Sequence, residues 1–392
     1  MQKRSLKGNI VLADRIIEGG IVMIEEDKIA GVLTHQQEMD AAGVEFSDYG
    51  EAWIIPGLVD LHLHGALEKD VMDCQEESLS QIAVHQSRCG VTGFLGSTMS
   101  APLQEVLEAV EVMKRASQIQ SRLQMPSVLL GVHVEGPFLS KQKKGAQNPA
   151  FIRAMNGVDV NRLIKAIQGL KAVISLAPEV DDHQRFIPKL KKSGFVVAIG
   201  HSDATYEQAL RSFEKGINHA THLFNAMSGF NHRQPGVVGA VLDSDGVSAE
   251  LIADGIHVHP AALRLAVARK GTEKLCLITD SLKAAGAGDG VFKWGNMEID
   301  VKGSRATIKE SDVLAGSVLT LNQAVKNMID WTGVSVSQAV NMASLNPAQV
   351  LGLEGEIGSI QAGKTANLAV IDQKFGVVET ILHGRTVFRQ ES

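Results

Sequence analysis

The hydrophobic rhythm of the chain changes twice. Up to about residue 55, short apolar runs (Asn9 to Ala13, Gly20 to Glu25, Ile29 to Leu33) are separated by Gly and Asp, the pattern of small antiparallel strands. This stretch is too short to be a stable domain alone. From about Gly355 the same texture returns in 358–360, 367–371 and 380–388, so the two ends are expected to pair into one small β-sandwich domain covering 1–55 and 355–392. Between them, in 56–354, eight apolar runs follow one another: 58–62, 93–97, 128–134, 172–176, 195–199, 219–222, 248–253 and 275–279. They alternate with amphipathic stretches of helical period at 101–120, 159–168, 206–215 and 260–270. Such alternation signals βαβ units. The predicted fold is therefore α/β, a (β/α)8 TIM-like barrel closed by helices at 319–331 and 335–351, with its active site at the C-terminal ends of the strands. The Gly-rich stretch 284–290 after the eighth strand is expected to be a loop and a candidate lid.

Composition narrows the function class. With a net charge of −6 among 392 residues, there is no basic excess of the kind that binds nucleic acid or an anionic membrane. An anionic substrate would need local cationic residues. Three cysteines (Cys74, Cys89, Cys276), widely spaced, do not form a disulfide framework and suit a reducing cytosol. Lys3, Arg4 and Lys7 precede no signal-peptide apolar stretch, and no 18-residue apolar span occurs, so the expected location is the cytoplasm, with no membrane partner.

Each strand end carries chemistry. His62 and His64 stand two residues apart at the end of the first strand, where alternate residues share a face. Glu135 follows the third strand, His201 the fifth, His222 the sixth, His257 the seventh and Asp280 the eighth. Recurrence of His, Glu and Asp at one end of a barrel is the arrangement of a metal site. Glu135, His201 and His222 supply one carboxylate and two imidazoles, a three-ligand set that leaves positions open for water, as catalytic Zn2+ sites do. Fe2+ suits the same N/O set. His62 and His64 could hold a second ion with Glu135 bridging. Asp280 is then either a ligand of that ion or a general base.

With these residues in hand, the chain resembles the amidohydrolase superfamily and, within it, the deacetylases of N-acetyl amino-sugar 6-phosphates, almost from end to end. The resemblance rests on 133–138 (HVEGPF), 144–146 (KGA), 200–202 (GHS), 221–227 (THLFNAM), 233–236 (RQPG), 254–257 (DGIH) and 279–280 (TD). It implies that Glu135, His201 and His222 are the principal metal ligands and Asp280 the catalytic acid/base. It further implies that Asn225, Ala226 and His257 contact the sugar phosphate and that Arg233 reaches the phosphate from a neighbouring subunit of a homodimer or tetramer. Ala146 and the loop Leu314-Ala315-Gly316 would line the substrate. The implied reaction is metal-dependent hydrolysis of the acetamide of N-acetyl-D-glucosamine 6-phosphate, using one or two divalent ions (Zn2+ or Fe2+), with the galactosamine epimer as the alternative substrate.

Two positions depart from the pattern: Gln147 stands where the family often has His, and Asn367 where the superfamily's last strand usually has Asp. A cyclic-amide hydrolase would share the paired histidines of strand one. Those enzymes carry a carboxylated Lys at the end of strand four, where this chain has Leu176-Ala177-Pro178-Glu179 and Lys171 sits at the other end.

Overall fold

Eight strands buried along nearly their whole length make a parallel sheet: β1 (Leu58–Leu63), β2 (Val91–Thr98), β3 (Val128–Glu135), β4 (Lys171–Leu176), β5 (Phe195–Ile199), β6 (His219–Ala220), β7 (Ser248–Leu251) and β8 (Leu275–Leu277). Burial on both faces explains why they read as continuous apolar runs rather than alternating ones. Their order follows the chain, each strand bonded to the next. The seam between β8 and β1 is closed by a parallel bridge of Leu63 to Ser281, with Asp280 N donating to His62 O and His64 N to Ser281 O, each at 2.8 Å. A side chain fastens the same seam: buried Asp60 accepts the Thr279 hydroxyl at 2.6 Å and the His62 amide at 3.2 Å. Burial pushes the Asp60 carboxyl up to about 7 against those bonds.

The computed structural model describes residues 3–34, 46–181, 183–295 and 297–391. Positions 35–45 of the expected N-terminal β region, with His35, lie outside the described residues.

Helices at Tyr206–Lys215 and Pro260–Lys270 span the expected residues, and Thr205 starts the first of them with a capping box to Gln208. The stretch 335–351 is not one helix but two, Val336–Met342 and Leu345–Val350. Pro347 has no N–H to offer the carbonyl four residues back, and that carbonyl, Ala343 O, accepts Val59 N at 2.8 Å instead. The break thereby ties the helix pair to β1. Strands β6 and β8 are shorter than their apolar runs because the chain turns inward there: His222 and Asp280 have φ of 30° and 50°.

The stretch 284–290 leads into a three-stranded antiparallel sheet, Gly290–Trp294, Met297–Lys302 and Arg305–Ile308, that the strand count did not anticipate. Trp294, Ile299 and Val301 pack there with Met99, Ala146 and Leu282, beside the site.

Strands from the two chain ends form one seven-stranded sheet, in the order 385–389, 377–382, 368–371, 47–56, 3–11, 16–25 and 28–33. It folds back on itself: Ile29 N donates to Lys364 O and Ala366 N to Asp27 O, joining the edge strand to the segment before 368–371. Leu6, Ile10, Ile24, Ile54, Leu368 and Val370 fill its separate core, the two-layer packing expected of a sandwich. Among the described residues, no helix is long and apolar enough to cross a membrane.

Candidate active site

All six candidate metal-site residues meet at the C-terminal mouth of the barrel. His62 and His64 project inward from the end of β1, Glu135 from the end of β3, and His201, His222 and Asp280 from the turns after β5, β6 and β8; all are buried. Three of them, His201, His222 and Asp280, have positive φ, an unfavourable backbone for a side-chain-bearing residue that is characteristic of functional sites. Glu135 lies at the centre. Its Oε1 is 3.0 Å from Nε2 of both His201 and His222 and 3.5 Å from Nε2 of His62, while its Oε2 is 3.2 Å from Nε2 of His64. Asp280 Oδ1 stands 3.3 Å from His64 and 3.6 Å from His62.

Hydrogen bonds on the far side of three of the rings orient them towards the cluster. His201 Nδ1 faces the carbonyl oxygen of Lys143 at 2.8 Å and His64 Nδ1 that of Ser97 at 3.1 Å, acceptors that place the proton on Nδ1. His62 Nδ1 donates likewise to the Glu250 carboxylate at 3.1 Å. That leaves Nε2 of these three rings turned towards Glu135 or Asp280, while His222, whose Nδ1 is buried without a hydrogen-bond partner, also presents its Nε2 to Glu135. His62 Nε2 is buried without a hydrogen-bond partner, and the Nε2 atoms of His201 and His222 are 3.1 Å apart. Two buried carboxylates among these imidazoles call for positive charge between them, from protons or from a cation, and the donor set fits a divalent ion. Three groupings of described residues have ligand atoms within 4.8 Å of one another: Glu135–His201–His222 and His62–His64–Asp280 at the mouth, and His62–His133–Glu250, which shares His62.

Electrostatics agree. Burial lowers the His64 pKa, but hydrogen bonds and charge from Asp280 and Glu135 outweigh it and hold the group at about 9. Burial pushes the Glu135 and Asp280 carboxyls up, but the charge of His62 and hydrogen bonds from the neighbouring imidazoles outweigh it and keep both ionised. A folded pKa above the free value of 6.5 means that the proton on His64 stabilises the metal-free protein at low pH and is lost as pH rises through about 9. A divalent ion must displace that proton. Its apparent affinity is therefore expected to climb by about tenfold per pH unit for each proton displaced as pH rises towards about 9, above which the His64 contribution levels off. Zn2+ titration in a competing chelator across this range checks it; a flat profile would contradict it.

A cavity of about 150 Å3 opens over the cluster. Of the residues expected to meet substrate, Ala146, Gln147, Asn225, Ala226 and His257 line it, as do Leu314 and Gly316. Ala315 does not; it is fully buried behind the wall. Gly316 passes so close to the Asp280 backbone, with φ of 47°, that a Cβ would sit 2.7 Å from Asp280 O. Arg233 stands on an exposed loop outside the cavity lining. Lys143 pairs with Asp203 at 3.4 Å, as a solvated loop lysine would, while its carbonyl holds His201.

Gln147 is held at both ends, its Oε1 accepting from Ser100 N and its Nε2 donating to Glu135 Oε2, each at 2.7 Å. In this position it steers a carboxylate as well as facing the cavity. Sequence reasoning missed Trp294, which packs edge-on to His64 with ring centroids 5.6 Å apart and closes one wall. It also missed buried Glu250 and assigned no role to Asp254 within its motif; Asp254 accepts from His257 Nδ1 at 2.7 Å. His133 is fully buried and bonded to Ser175 Oγ at 2.7 Å. Lys171 begins β4, at the opposite end of the barrel from the site, where it cannot bridge metals.

The amidohydrolase family profile matches residues 53–387. The N-acetylglucosamine-6-phosphate deacetylase of Bacillus subtilis (strain 168) is 35% identical over 379 residues, covering 97% of this chain and 95% of that protein. The N-acetylgalactosamine-6-phosphate deacetylase of Escherichia coli O157:H7 is 37% identical over 332 residues, covering 85% and 87%. Among solved structures, N-acetylglucosamine-6-phosphate deacetylase from Pasteurella multocida superposes with a TM-score of 0.92 at 31% identity, covering 98% of this chain and 99% of that one. On a profile match over most of its length and relatives above 30% identity, the chain belongs to the amidohydrolase family, on the branch that holds the N-acetylglucosamine-6-phosphate deacetylases.

Proposed function

We propose that this protein hydrolyses the acetamide of N-acetyl-D-glucosamine 6-phosphate to D-glucosamine 6-phosphate and acetate. The observation that carries the reading is the convergence of four imidazole Nε2 atoms on Glu135, with Asp280 beside His62 and His64, at the floor of a small cavity. Glu135, His201 and His222 hold a divalent ion, Zn2+ or Fe2+, and His62 and His64 with Asp280 are placed for a second. When bound, such an ion acts as a Lewis acid and brings the pKa of water towards about 7. Asp280 takes the proton of the attacking water, and then returns it to the departing nitrogen, which leaves poorly from an amide without it.

Other residues hold the sugar. His257, its Nδ1 bonded to Asp254, turns its other nitrogen to a substrate oxygen, with Asn225 and the Ala226 backbone beside it. Ala146, Leu314 and Trp294 form the apolar part of the wall. Arg233, exposed on its own protomer, serves the phosphate of a neighbouring subunit through its planar guanidinium in a homodimer. Free thiols at Cys74, Cys89 and Cys276 suit the reducing cytoplasm in which a phosphorylated sugar would be met.

Comparing acetate release from N-acetylglucosamine 6-phosphate and from the unphosphorylated sugar tests the reading; equal kcat/KM for the two would contradict it. The galactosamine epimer is the second reading, favoured by the 37% identity to the Escherichia coli relative, and the same assay on both epimers ranks them. Arg233→Ala is expected to raise KM for the phosphorylated sugar by about 10–100-fold, the loss of a charge-assisted bidentate contact, with little change in kcat. At substrate concentrations well below the raised KM, where Arg233→Ala turns over little and Asp280→Asn is inactive, mixing the two subunits should restore activity, since a mixed dimer then has one complete site. No recovery would contradict the crossing arginine.

A further inference from the structure

We propose that Glu250, which no catalytic step uses, is a positioning residue that aims one ligand from each of the two metal groupings. The inference rests on the metal reading above. Glu250 is the third residue of β7 and is fully buried inside the barrel. Its Oε2 accepts from His62 Nδ1 and from the backbone N of His222, each at 3.1 Å, and its Oε1 meets His219 Nε2 at 3.2 Å. His219 passes the chain on, through Nδ1, to Ser248 Oγ at 2.7 Å, away from the site.

Each contact has a definite effect. By taking the Nδ1 proton of His62, Glu250 leaves Nε2 free and facing Asp280 and Glu135. A carboxylate on the far side of an imidazole also raises its basicity towards a metal and fixes the plane of the ring. At His222 the effect is on the main chain. That residue turns at a φ of 30°, and Glu250 clamps the turn twice: its side chain holds the His222 N–H, and its own carbonyl accepts Leu223 N at 2.9 Å. A single buried carboxylate thus governs the ring orientation of one ligand and the backbone turn that delivers another. A Gln in its place could still accept one N–H, but it would bring an N–H donor into a pocket built for an acceptor and remove the charge behind His62.

The test compares Glu250→Gln with His219→Gln, which cuts the same buried network on the side away from the ligands. The readouts are the Zn2+ dissociation constant by chelator competition and the melting temperature of metal-free and Zn2+-loaded protein. Glu250→Gln is expected to weaken Zn2+ by about 10–100-fold and to shrink the rise in melting temperature on loading. His219→Gln is expected to lower both melting temperatures alike and leave the Zn2+ constant within about twofold. A Zn2+ constant for Glu250→Gln within about twofold of the unsubstituted protein would overturn the inference, as would an equal weakening in His219→Gln. Should Glu250→Gln fail to fold, Glu250→Asp, which keeps the charge but withdraws it by one methylene, must show the same weakening, and an unchanged constant would overturn the inference. Unsubstituted protein that takes up no Zn2+ would overturn the metal reading, and the inference with it. That result is distinct from a variant that binds as tightly as the unsubstituted protein.

Discussion

Asp280→Asn is expected to lower kcat by about 10³–10⁴-fold, the range of a positioned acid/base that acts in both proton transfers. In free energy this is about 4–5 kcal/mol of transition-state stabilisation. The substitution is nearly isosteric and keeps an oxygen at Oδ1, so the backbone turn at φ 50° and the seam bond from Asp280 N to His62 O should survive. What is lost is the ability to take and return a proton. The carboxylate is suited to that work because the charge of His62 and the hydrogen bond from His64 keep it ionised in spite of burial. KM should change little and metal content should hold. Steady-state kinetics with metal analysis on the same sample checks this, and near-normal turnover would remove Asp280 from its assigned role. If metal per subunit falls along with turnover, Asp280 acts as a ligand of the His62/His64 ion.

Glu135→Gln should be still more severe, because it removes the atom on which the cluster is centred. Oε1 lies within 3.5 Å of three imidazole nitrogens, and Oε2 approaches a fourth at 3.2 Å. Replacing the anion by an amide takes away the charge that neutralises the ion and sets an N–H against a ring lone pair. Removal of a hydrogen-bond partner one step behind a ligand typically weakens metal binding by about 10–100-fold, and removal of the ligand itself should exceed that. Both deacetylation and bound metal are therefore expected to fall below detection after dialysis. Metal analysis of the dialysed variant is decisive: a full complement of metal would mean that Glu135 is not a ligand. Folding is expected to persist in the metal-free protein, since the barrel seam depends on Asp60, Thr279 and Leu63 rather than on Glu135.

Much of the site was legible because barrels turn a three-dimensional arrangement into a linear one. His62 and His64 follow from strand alternation, and Glu135, His201, His222 and Asp280 from standing just after apolar runs. The missed groups lacked that signal. Glu250 lies within the run 248–253 that reads as an apolar strand, and its partner His62 is 188 positions away, so nothing local marks the pair. His219, at the start of the run 219–222, carries no motif of its own, and its partner is Glu250. Trp294 sits on a short hairpin beyond the eighth strand, where no barrel element is due. The divided helix at 343–344 is different: Pro347 was visible in the sequence, and its missing N–H predicts the break. Arg233 and Ala315 show the converse, residues whose motif pointed to the cavity while their side chains stand outside its lining in the single protomer.

The central claim, metal-dependent deacetylation of a phosphorylated N-acetyl amino sugar, is tested most directly by following acetate from N-acetylglucosamine 6-phosphate with protein that has been stripped of metal and then reloaded. No acetate is expected from the stripped protein. Activity should return in proportion to added Zn2+ or Fe2+, with one equivalent of D-glucosamine 6-phosphate formed per acetate. Undiminished acetate release from fully stripped protein, or none from reloaded protein with either epimeric 6-phosphate, would contradict it.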